Sequence, residues 1–324
     1  MAGERARALE DAAAQPIEAP SGGWIRVGTA SWTDPTMTAP GVFYPPDART
    51  AEDRLAYYAA HFPLVEVDAT YYALPSARTS ELWVRRTPPD FTFDVKAHAL
   101  MTGQPTETRR LPKPIRDALP PALAARPRLY GKDLPAELRD EAWRLFLAGL
   151  EPLRASGQLG SVLLQYPRWV HPSSAARDAI LEAQDRLRDV ACAVEFRNAS
   201  WLSASNAERT LAFLTDHAIP FVMVDGPQGL PSSMPPTVAV TAPGLALVRF
   251  HGRRTETWEA PGVPTVERYR YLYDREELTA WVPRLVEAAT AARETHVLMN
   301  NCFANYGTTN AREIAALLQD VRVT

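Results

Sequence analysis

Lysine is nearly absent from this sequence. Only Lys96, Lys113 and Lys132 occur, so 32 of the 35 basic residues are arginine. A lysine at a strand end therefore stands out as a compact, titratable ammonium among forked guanidinium groups. Cysteine is almost as scarce, with only Cys192 and Cys302. Two cysteines exclude a disulfide framework and a cysteine zinc motif, and they fit a reducing, cytoplasmic setting. Cys192 lies in the apolar run CAVEF and reads as a small core residue. Cys302 has no local base to make it a nucleophile. No apolar run approaches the length of a membrane span. Neither GxGxxG nor a Walker loop is present, so no nucleotide cofactor is expected. The net charge of -3 argues against bulk attraction to nucleic acid. Residues 1–23 lack a signal-peptide core and read as a flexible leader, with a short helix over 3–14 as an option.

What the sequence does have is alternation. Short β-type runs occur at 24–31, 64–70, 91–98, 159–166, 191–197, 220–226, 245–252 and 295–301, with helical segments between most of them. Eight βα units in this order predict an α/β fold, a single-domain (β/α)₈ TIM-type barrel over residues 24–324, ahead of a doubly wound sheet. Thr50 and Ser76 sit where helix N-caps are needed. Two proline-rich stretches interrupt the rhythm. Residues 99–135 are too long for a simple loop and predict either an ordered lid or a mobile insertion. Residues 226–244 leave the sixth and seventh strands without a full intervening helix.

Successive strand residues face opposite sides of a sheet. The apolar phase holds Val65, Val67, Phe93, Val95, Val194, Phe196, Val248 and Phe250, and suits packing against helices. The opposite phase is charged: Glu66, Asp68, Asp94, Lys96, Glu195, Arg197, Arg249 and His251. Buried charge stabilises little compared with apolar packing, so this much of it near strand C-termini points to a ligand site at the rim. Glu66 and Asp94 read as a structural ion-pair network. Lys96, Glu195, His251 and Asp68 are the candidates for acid–base or nucleophilic chemistry. Arg197 and Arg249 suit forked binding of a carboxylate or phosphate. Gln165, Asp225, Asn300 and Asn301 also end their strands. Trp32, Tyr71, Trp201 and Tyr271 are aromatic candidates for pocket walls, and Thr70 joins them as a binding residue. A zinc or manganese site would draw on His98, Glu195, Asp225 and His251, but the dispersed spacing and neighbouring cations disfavour it.

Several ordered motifs together resemble the YecE-like family, also called domain of unknown function 72. They are VGTASW, GVFYP, EVDATYYALPS and FTFDVKAH, followed by EFRNASW, VRFHGR, YRYLYDREEL and NNCFANYGTTNAREIAALL. The resemblance covers nearly the whole chain from Trp24. It implies a TIM-type barrel and marks Trp32, Asp68, Thr70, Tyr71, Lys96, Glu195, Arg197, Trp201, Arg249, His251, Gly252, Asn300 and Asn301, without assigning a reaction. The chain departs from the usual wording at LLQYPRWVHPS and in the long third connection. The leading expectation is an enzyme acting on a small anionic, phosphorylated or sugar-like substrate. The alternatives are a metal-dependent phosphodiesterase or nuclease-like barrel and a non-catalytic ligand-binding protein. The sequence specifies no oligomeric state.

Overall fold

A computed structural model describes residue 9 and residues 11–20 and 22–321. Eight parallel strands carry the architecture: β1 (Trp24–Ala30), β2 (Leu64–Val67), β3 (Thr92–Lys96), β4 (Leu159–Tyr166), β5 (Ala191–Phe196), β6 (Val222–Asp225), β7 (Leu245–Phe250) and β8 (Glu294–Met299). The ladder runs β5-β4-β3-β2-β1-β8-β7-β6. A single parallel bridge, Val194 to Phe221, joins its two ends and closes the barrel. This is the TIM-type barrel the βα count predicts.

The helices form where the sequence supplies caps. Helix α1 (Ala51–His61) starts with a reciprocal capping box: Asp53 N–H donates to Thr50 Oγ1 at 3.1 Å, and Thr50 N–H donates to Asp53 Oδ2 at 2.8 Å. Ser76 caps α2 (Ala77–Arg85). The others against the barrel are α3 (Ala136–Ala155), α4 (Ser174–Leu187), α5 (Ala207–Asp216), α6 (Val282–Ala291) and α7 (Tyr306–Val321). The run from Arg275 reads as one helix in sequence, yet it breaks after Thr279. Helix α6 starts afresh with Pro283 in its first turn, where a missing N–H costs nothing. The apolar strand phase meets these helices: Val65, Phe93, Val194, Val248 and Phe250 are all fully buried.

One expectation changes, and one left open is decided. Part of the supposed flexible leader is packed, because Ile17–Glu18 pairs antiparallel with β1 and Ala13, Ile17 and Ala19 are buried. Residues 1–8, 10 and 21 lie outside the described residues. The 99–135 insertion is ordered. It holds a two-stranded ribbon (Thr106–Glu107 with Arg128–Leu129), short helices, and its own apolar cluster of Leu100, Leu111, Ile115, Leu119, Leu129 and Leu134. No described helix lies between β6 and β7. None of the helices is long and apolar enough to cross a membrane among the described residues.

The barrel interior is charged at more than one level. Deep inside, Asp94 accepts from Ser161 Oγ at 2.7 Å and contacts His296 Nδ1 at 2.8 Å. Gly160 leaves room for that pair, since an added Cβ would lie 2.8 Å from Asp94 Oδ1 and 2.9 Å from the His296 ring. Nearer the C-terminal mouth lies a larger cluster.

Candidate functional site

The centre of the cluster is Glu195, at the end of β5 and fully buried. Its Oε1 accepts from Gln165 Nε2 at 2.7 Å, ion-pairs with Arg197 Nε at 2.5 Å and contacts His251 Nε2 at 3.1 Å. Its Oε2 pairs with Arg249 Nη1, and Arg249 Nη2 donates to Glu66 Oε1 at 2.8 Å. Burial alone would raise the Glu195 pKa. Arg197, Arg249 and His251 outweigh it and hold the carboxyl well below the usual range. Burial, followed by the nearby Arg197, pushes His251 down to about 3, so its ring is neutral. The neutral ring donates from Nε2 to Glu195 and accepts at Nδ1 from Asn300 Nδ2 at 2.8 Å. Glu195 and His251 are therefore fixed, saturated groups.

Above this layer the charges are less satisfied. A cavity of about 310 Å³ opens at the mouth, lined by Glu66, Asp68, Lys96, Arg249, Arg268 and Asn300 among others. Lys96 Nζ lies 4.9 Å from the centre of the Tyr71 ring, and no carboxylate reaches ion-pair distance of it. Burial lowers its pKa below that of an ordinary lysine, and Arg249 adds to the effect against Glu66. Asp68 is shifted the other way. Burial raises its pKa against the pull of Lys96 and Arg249. Burial also raises Glu66, whose Oε2 has no hydrogen-bond partner. Arg268 donates to Ala260 O at 3.0 Å, lacks a carboxylate partner, and has a buried, unpartnered Nε.

Local backbone explains these positions. Strand β2 stops at Val67, earlier than the sequence predicts, and Asp68 leads into a 3₁₀ turn over Ala69–Tyr71. The turn is pinned by Thr70 Oγ1, which donates to Lys96 O at 2.6 Å, so β2 and β3 present Asp68 and Lys96 to one space. After β7, Gly252 has φ +81°, and a Cβ there would lie 2.6 Å from Tyr271 Cβ. Its N–H donates to Tyr273 Oη at 2.8 Å.

The remaining sequence candidates are placed elsewhere. Asp225 receives four donors: Arg253 Nε (2.9 Å) and Nη2 (2.7 Å), Tyr273 Oη (2.7 Å) and Trp281 Nε1 (2.7 Å). It anchors the loop after β7 to the helix layer. Trp201 stacks on Phe196 at 4.1 Å and donates to Val170 O, while Trp32 packs edge-on against Trp83 and Phe93. Asn301 is buried and donates to Tyr271 O and Asn310 Oδ1, and Tyr271 Oη donates to Glu277. These residues hold the site's frame and do not line the cavity. Tyr71 and Gln165 do line it. Cys302 is half-buried, and desolvation pushes its thiol well up. The metal candidates do not converge: Asp225 is engaged by Arg253, and His98 Nδ1 accepts from Leu100 N–H at 3.4 Å. Among the described residues no group of three His, Cys, Asp or Glu side chains is arranged to hold a metal ion. Arg268, Tyr269 and Gln104 line the cavity without having been singled out as binding residues from sequence.

A family model described as a protein of unknown function, DUF72, matches residues 26–323. The chain belongs to the DUF72 family. This is the family its ordered motifs resemble. The UPF0759 protein YunF of Bacillus subtilis is 31% identical over 297 residues, covering 91% of this chain and 94% of its own. A DUF72 structure from Thermotoga maritima matches with a TM-score of 0.70 at 31% identity, over 91% of this chain and 99% of its own. One from Enterococcus faecalis matches at 0.72 and 25%, over 91% and 95%. Membership supports the barrel and leaves the chemistry to the residues.

Proposed function

We propose that this DUF72 protein is an enzyme performing acid–base chemistry on a small anionic metabolite bound at the barrel mouth. The observation that carries this reading is the Lys96–Asp68 pair. Burial disfavours both charged forms, so the amine is eased toward its neutral base and the carboxyl toward its neutral acid. Shifts in these directions narrow the free-energy gap for a proton passing between such groups and a substrate, as a general acid–base pair requires. Lys96 acts as the base or as an amine nucleophile toward a carbonyl. Asp68 exchanges the proton. Arg268 provides an uncommitted guanidinium for the anion, a phosphate or carboxylate. Glu66 and Arg268 both line the cavity wall, one anionic and one cationic side chain beside Lys96 and Asp68.

Glu195, Arg249, Arg197 and His251 serve this pair indirectly. They form a charge-paired ionic floor that sets the potential under Lys96. The test is incubation of wild type with a panel of small phosphorylated and carboxylated carbonyl compounds in deuterated water, followed by NMR. Conversion, or deuterium exchange at a carbon, in at least one compound is expected, with loss of both in Lys96→Met. Exchange or conversion that survives Lys96→Met contradicts the assignment. Tight binding with no change to any bound compound makes the protein a ligand carrier instead.

A further inference from the structure

A second, outer lobe of about 400 Å³ adjoins the mouth cavity and shares Gln104, Gln165, Arg268 and Tyr269 with it. Each lobe is near the lower end of the size range for small-molecule sites, roughly 300–1,000 Å³. The shared walls place the outer lobe within reach of a ligand longer than the inner lobe alone holds.

The outer lobe has a distinctive wall. Trp169 is 52% exposed, one of only four large apolar residues left open among the described residues. It is nonetheless held, because its Nε1–H donates to Gly103 O at 3.1 Å. That bond joins two segments where the sequence departs from the wording it otherwise shares with the family, the PRW turn after β4 and the 99–135 insertion. Across the lobe, Trp258 and Tyr269 meet at 87°, with centroids 5.8 Å apart, and the Arg197 guanidinium lies 5.1 Å from the Trp258 ring centre. Trp169 itself stacks on no other ring among the described residues. Polar groups ring the space: Gln104, Gln165, Arg168, Ser232 and Glu259. One open aromatic face with a polar rim matches a saturated sugar ring, whose C–H face carries partial positive charge toward the π-cloud while its hydroxyls point outward.

We infer that the outer lobe is a sugar-ring subsite with Trp169 as its platform, so that the substrate is a sugar carrying an anionic group that reaches Arg268 and Lys96. This rests on the reading of the inner lobe as an anion site. Calorimetric titration separates the two claims with three probes: inorganic phosphate for the inner lobe alone, glucose 6-phosphate for both lobes, and phenyl phosphate for a flat ring.

The expected result is that glucose 6-phosphate binds at least tenfold more tightly than phosphate. Trp169→Ala then weakens glucose 6-phosphate by about fivefold or more, while phosphate affinity stays the same. Arg268→Ala weakens both. If Trp169→Ala leaves glucose 6-phosphate unchanged while Arg268→Ala weakens it, the sugar subsite is overturned and the anion site stands. A gain for phenyl phosphate equal to that for glucose 6-phosphate, lost in Trp169→Ala, assigns the lobe to flat rings and also overturns it. If phosphate and glucose 6-phosphate both fail to bind wild type, both claims fall.

Discussion

Two layers of charge lie one above the other at the mouth of this barrel, and they are built on opposite terms. In the lower layer every charged side chain is paired with one of opposite sign. Glu195 takes four partners, Arg249 bridges two carboxylates, and His251 is held at both ring nitrogens. In the upper layer Lys96 and Arg268 have no carboxylate at ion-pair distance among the described residues, and Asp68 is pushed toward its protonated form. The contrast separates structural charge from available charge. Burial is common to both layers and therefore cannot make that distinction. Pairing with an opposite charge can.

The largest effects should come from breaking the lower layer. Arg249→Met leaves Glu66 and Glu195 buried without their shared counter-charge, and a loss of about 3–5 kcal/mol is expected in urea unfolding. A loss below about 1 kcal/mol would mean the lower layer is not a structural floor. Breaking the upper layer should do the reverse. Lys96→Met should lower turnover of an identified substrate by about 10²–10⁴-fold while the urea midpoint moves little.

Acid titration sharpens the comparison from another side. Burial holds His98 at about 4 and His251 at about 3 in the folded chain, against 6.5 for an ordinary histidine. Both are depressed, so the unfolded chain takes up protons first as pH falls. Their contribution is complete above pH 6.5 and is lost progressively toward pH 4 and then 3. His98→Asn keeps a capping acceptor and removes one titrating group. The fall in stability between pH 6.5 and 4.5 should therefore be shallower in that variant than in wild type, as read by unfolding at several pH values. Glu66 and Asp68, raised by burial, act in the opposite sense but are common to both proteins. An unchanged slope would contradict a neutral, buried His98. A smaller effect is expected at the Asp225 anchor. Tyr273→Phe removes a donor to Asp225 and an acceptor for Gly252 N–H, at a cost of about 1–3 kcal/mol.

The barrel was legible because strand phase is a strict period-two signal, and the charged phase led directly to Glu66, Asp68, Lys96, Glu195 and Arg249. The sequence could not rank them. A carboxylate at a strand end looks the same whether its neighbours will saturate it, as at Glu195, or leave it open, as at Asp68. Asp225, Trp201 and Trp32 show the same limit, since residue type does not tell a cavity wall from a frame. Arg268, Tyr269 and Trp169 lie in connections with no period to reveal their direction. Only the YRYLYDREEL segment, which begins at Tyr269 beside Arg268, carried a signal for that wall. Ile17 was missed because a two-residue edge strand is too short to show alternation.

The scarcity of lysine makes the central claim directly measurable. Protein grown with ¹³C-lysine should give three side-chain signals, and Lys96→Met should identify one of them by its loss. The account predicts that this signal titrates below the ordinary lysine value of 10.5. A Lys96 that titrates at or above that value would contradict the claim that the upper layer holds an available base.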